Sequence, residues 1–95
     1  MEIKLSNYGK IISTDDTSST ILKEIESSLD SNESININAL GVVISTKSAR
    51  LIFGYLYKKL SKINFNNKIH FKNASTTFMF AVNEGILTEL NSNPA

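Results

Sequence analysis

The chain has 95 residues, no cysteine, and ten Lys or Arg against nine Asp or Glu, for a formal net charge of +1. That length supports a single domain spanning 1–95, with one core that buries roughly 60–65% of the surface its unfolded form exposes. The missing cysteines exclude a disulfide framework and a thiolate metal site, which points to the cytoplasm, and no apolar run or N-terminal pattern suits a bilayer span or a signal peptide.

Glu2 to Leu5 alternates polar and apolar residues, Asn7-Tyr8-Gly9 supplies turn chemistry, and Lys10 to Ser13 reads as a second short strand. An N-terminal hairpin is expected. Ile21, Leu22, Ile25 and Leu29 then recur at helical spacing and predict a first helix over 17–29, with Asp15 or Asp16 as its cap. Ile35, Ile37 and Ala39 alternate with Asn36 and Asn38 in a strand with one apolar side. A second helix over 46–60 carries a core stripe of Ala49, Ile52, Phe53, Leu56 and Leu60. Ile69 and Phe71 alternate with Lys68, His70 and Lys72, and Ser75 is placed to cap a last helix over 76–90, with Phe78, Val82 and Ile86 facing inward and Pro94 in the tail beyond.

Strands separated by helices argue for parallel pairing through right-handed crossovers. Yet a sheet covered on both faces would have strands apolar throughout, and these alternate. The expected fold is therefore α/β, a small mixed sheet with helices packed on one face only, the other face carrying Glu2, Lys4, Asn36, Asn38, Lys68, His70 and Lys72.

All nine acids lie at or before Glu33 or at or after Glu84, and the interval between them is purely basic: Lys47, Arg50, Lys58, Lys59, Lys62, Lys68 and Lys72. Such a block steers an acidic protein surface or a nucleic acid, or else is a solvated helix face. On the second helix Lys47, Arg50 and Lys58 stand beside Leu51 and Tyr57, off the core stripe, a mixture that suits a protein interface. On the last helix Phe80 and Leu87 are left opposite the core stripe and need a cover: a terminal segment, a partner or a second copy.

The order of elements, with the strand–Gly–hydroxyl–helix segment Asn38-Ala39-Leu40-Gly41-Val42-Val43, Ile44-Ser45-Thr46-Lys47-Ser48-Ala49 and Ile52-Phe53-Gly54, resembles a STAS domain, the fold of bacterial anti-sigma factor antagonists and of sulphate-transporter tails. The closer resemblance is to STAS-like domains of bacterial proteins, whose segment reads roughly D-F-S-G-V-x-x-I-S-x-S-F-A-x-x-L-F-G. Ile69 to Ser75 similarly looks like that family's last strand and turn. The resemblance implies a non-catalytic protein-binding module that docks on a histidine-kinase-like ATPase in a bacterial regulatory or defence system. In antagonist-type members that ATPase phosphorylates a Ser or Thr at this helix start. By position Thr46 matches the acceptor, with Ser45 where the family has Asp and Asn38 where it has a strand-end acid. Docking is carried over from the family; phosphorylation of Thr46 or Ser45 is a third reading beside a nucleic-acid-binding alternative that uses the basic segment.

The residues themselves give Ser45 and Thr46 a simpler role as helix N-caps. His70, the only histidine, belongs by alternation to the polar sheet face and has no matching Cys or second His for zinc. No Ser/His/Asp order, paired carboxylates or Gly-rich Lys-Ser/Thr loop is present. Neither catalysis nor a cofactor or metal is expected.

Overall fold

In a computed structural model, which describes residues 1–92, the elements run β1 (Glu2–Lys4), β2 (Ile11–Ile12), α1 (Asp15–Ser31), β3 (Ile35–Asn38), β4 (Val43–Ile44), α2 (Thr46–Ala49), a π-helical turn (Arg50–Gly54), α3 (Tyr55–Leu60), α4 (Lys62–Lys68), β5 (Ile69–Lys72) and α5 (Thr76–Asn91). Pro94 lies outside the described residues. The α2 segment, the π turn and α3 follow one another without a break as one helix over 46–60. The α/β class and the helical cover of one sheet face are as the sequence indicates.

Every strand pairing is parallel: β1–β3–β5 form one sheet and β2–β4 a second. The expected N-terminal hairpin does not form, and with it goes the antiparallel part of the sheet. The reason is local. Leu5–Tyr8 winds into a 3₁₀ turn instead of reversing, Leu5 is buried as its anchor, and the Tyr8 hydroxyl donates to Glu24 Oε1 on α1. Gly9, at φ +122°, then sends the chain onward in its original direction. The segment 2–12 thus runs alongside 35–44 twice, first as β1–β3 and then as β2–β4. On the second segment the interruption is a tight turn, with the Val42 N–H on the Ala39 carbonyl at 3.1 Å and Gly41 at φ +70°. The Leu40 N–H donates to Asn38 Oδ1 at 3.1 Å. That is turn chemistry supplied by Asn and Gly.

Register sorts the side chains into rows. Ile3, Ile37 and Phe71 are cross-strand neighbours on the inner face, with Ile35–Ile69 below and Ile12–Ile44 above. Phe53 and Phe78 meet Phe71 edge-on, with ring centroids 5.1 Å and 6.1 Å away, the geometry aromatic quadrupoles favour. Outward, Glu2–Asn36–His70 and Lys4–Asn38–Lys72 form two polar rows, exposed at their ends and half-buried at Asn36 and Asn38. Lys68 departs from the expected face. It ends α4 and lines a hollow with Glu26 and Asp30.

Three helix starts have hydroxyl caps: Thr14, Ser45 and Ser75 accept from the N–H of Thr17, Ser48 and Phe78 at 3.3, 3.1 and 3.0 Å. Because Thr14 caps α1, the helix begins at Asp15 instead of 17, and Asp15 and Asp16 sit in its first turn, where the dipole favours negative charge. Among the described residues no helix is long and apolar enough to cross a membrane.

Candidate functional site

The helix over 46–60 lies between α1 and α5, and its π turn is where α5 crosses it. The crossing is backbone on backbone: a Cβ on Gly85 would lie 2.6 Å from the Arg50 nitrogen, and one on Gly54 2.9 Å from the Gly85 carbonyl oxygen. Within the π turn the Tyr55 N–H reaches the Arg50 carbonyl, five residues back. The wider turn adds one residue, so everything after it lags a regular helix by about 100°.

That lag divides the five residues expected to share an interface. Regular spacing would set Lys58 beside Lys47 and Leu51. Instead Lys58 Nζ lies 3.8 Å from Glu89 Oε2, next to Arg50, whose Nε donates to Glu89 Oε1 at 2.9 Å. Tyr57 turns inward, half-buried, with its ring centroid 5.2 Å from that of Phe65. Lys47 and Leu51 remain exposed on the α1 side: Lys47 pairs with Asp15 at 3.2 Å, and Leu51 shares a hollow with Asp15, Ser19 and Leu22. Lys59 donates to Glu26 at 2.6 Å, a bond that holds its ammonium above the usual lysine range. The basic middle of the chain is thus folded between the acidic α1 and α5, and four of its seven cations are ion-paired within the molecule.

Of the two candidate phosphoacceptors, Ser45 spends its hydroxyl on the cap, whereas Thr46 is exposed and its hydroxyl makes no hydrogen bond among the described residues. Ser48, one turn in, is buried and its Oγ has no partner there. His70 is exposed, with Nε2 3.0 Å from the Asn67 carbonyl. On α5, Phe78 and Val82 are buried and Ile86 half-buried, while Phe80 and Leu87 stand 63% and 52% exposed on the outer side.

A second apolar group escaped the sequence reading. Ile11 and Val43 are register partners in β2–β4 and point away from the core, 70% and 53% exposed, and Leu40 at the tip of the preceding turn is 66% exposed. All three follow the carboxyl ends of β1 and β3 in the chain, Ile11 and Val43 opening β2 and β4, and together they make an apolar crest. The Ser45–Thr46 helix start follows directly on β4. The signal was present in the unbroken runs Ile11-Ile12 and Val42-Val43-Ile44, where a half-buried strand would place a polar residue outward. Lys4 and Lys72 are the register partners of Asn38, two residues before Leu40, and Lys10 precedes Ile11; among the described residues none of the three makes an ion pair. No family model, curated protein or solved structure matches the chain.

Proposed function

We propose that the chain is a non-catalytic, STAS-like protein-docking module of the bacterial cytoplasm that engages a histidine-kinase-like ATPase in a regulatory or defence system. The observation that carries the docking reading is the crest: three large aliphatic side chains stand uncovered together, two of them paired in register, beside an exposed helix start with Thr46, Lys47 and Leu51. A protein interface needs an apolar centre with a polar rim, and this end of the molecule offers both. The ATPase as partner, and Thr46 as the position where added phosphate would act, follow from the family resemblance. Phe80 and Leu87 provide a second, smaller contact, suited to weak self-association.

Calorimetric titration of the chain against a histidine-kinase-like ATPase of the same cell tests this. Ile11→Ser/Val43→Ser is expected to weaken binding about tenfold or more, in line with roughly 1.4 kcal/mol per decade and the loss of two buried aliphatic anchors. Unchanged affinity in a variant with native circular dichroism would overturn the crest as the docking site.

A further inference from the structure

Resting on the docking reading, we infer that the crest receives an acidic protein segment, one that presents Asp or Glu side chains around a Leu, Ile or Val anchor. Four cations of the helical layer are neutralised at home, Lys47 by Asp15, Arg50 and Lys58 by Glu89, Lys59 by Glu26, while Lys23, Lys62 and Lys68 are not. Lys4, Lys10 and Lys72, the lysines nearest the crest in the chain and in register, are likewise without an ion pair among the described residues. Lys4 and Lys72 flank Asn38 in one cross-strand row, immediately before the turn that raises Leu40, and Lys10 precedes Ile11, its carbonyl accepting from the Val43 N–H at 2.8 Å.

The acid nearest these lysines in register is Glu2, one row further from the crest. Its carboxylate is reached by the Asn38 amide at 3.4 Å. An aliphatic centre with three lysines close by in chain and register, none ion-paired among the described residues, is complementary to apolar anchors flanked by carboxylates. A second copy offering the same crest would set lysine against lysine. Nucleic acid is disfavoured because no Phe, Tyr or Trp stands on the Lys4–Asn38–Lys72 row or on the crest for bases to stack on.

The test uses the intact chain and three labelled synthetic peptides, each with two leucines, in a Glu-rich, a Lys-rich or a Ser-rich background, followed by fluorescence anisotropy. The Glu-rich peptide should bind about tenfold more tightly than the Lys-rich one, about 1.4 kcal/mol spread over three charge pairs at exposed sites. The preference should shrink in high salt, and Lys4→Glu/Lys10→Glu/Lys72→Glu should reverse it. Ile11→Ser/Val43→Ser should weaken every peptide. Equal binding of acidic and basic peptides, still sensitive to Ile11 and Val43, would overturn the acidic partner while leaving the docking reading in place. Peptide binding indifferent to Ile11 and Val43, or absent at millimolar concentration, would overturn both. Tighter binding to phosphatidylserine vesicles or to a DNA duplex than to the acidic peptide would assign the crest to another class of partner and so overturn the inference.

Discussion

Gly85 sets the distance between α5 and the helix over 46–60, and no property of the residue in the sequence distinguishes it from any glycine inside a helix. Only the crossing does so. Gly85→Ala would raise the helix propensity of α5 by up to about 1 kcal/mol in isolation, but the added Cβ would meet backbone atoms of Ala49 and Arg50 at 2.6 to 3.0 Å. Backbone cannot swing aside like a side chain. Denaturant unfolding should show a net loss of about 1–3 kcal/mol, and a gain would mean that the two helices are not in backbone contact. Tyr8 gives a second residue-scale prediction. Burial, and then its hydrogen bond and charge contact with Glu24, push its hydroxyl up to about 12. The unfolded side chain titrates near 10, so this contribution to stability is complete below pH 10 and is lost as pH rises through about 12. Tyr8→Phe should flatten the stability profile between those limits, and equal slopes for the two proteins would remove Tyr8 as the cause.

At the scale of elements, the apolar rows were legible because strand alternation and helical periodicity are written directly into Ile35-Asn36-Ile37-Asn38 and Ala49-Ile52-Phe53-Leu56. What could not be read was anything that depends on a distant partner. The π turn exists where α5 packs against the helix, and the phase shift it causes moved Lys58 and Tyr57 away from Lys47. The hairpin was misread for a similar reason: the turn residues Asn7 and Gly9 are genuine, but Leu5 and Tyr8 tie the turn to the core and to α1. A consequence follows for mutagenesis. Arg50→Glu would set a carboxylate against the half-buried Glu89 and should cost about 1–2 kcal/mol of stability, whereas Lys47→Glu, whose partner is an exposed Asp15 carboxylate, should cost less than about 1 kcal/mol. Thermal unfolding of the two single variants checks this, and equal melting temperatures would show that Glu89 is not engaged with Arg50.

For the molecule as a whole, the charge segregation of the sequence is reconciled by folding: acidic ends are laid against a basic middle, which leaves charge unbalanced at the crest. The outer side of α5 is a separate matter. It carries Phe80 and Leu87, with Glu84 between them at helical spacing. A self-contact here has little area against the roughly 800 Å² per partner of a standard interface, so sedimentation should show a dimer only at high concentration, abolished by Phe80→Ser/Leu87→Ser. A monomer at every concentration would leave that side of α5 without a role in assembly. One further consequence comes from the parallel ladders. Their partners, Glu2 with Asn36, Ile11 with Val43 and Ile35 with Ile69, stand 32 to 34 residues apart, and among the described residues no ladder joins strands adjacent in the chain. The chain therefore has no local strand contact with which to begin folding, and must close loops of that length before any ladder stabilises it. During synthesis β3 waits with an open edge until β5 emerges, so the last third of the chain decides how long the nascent protein remains open to aggregation.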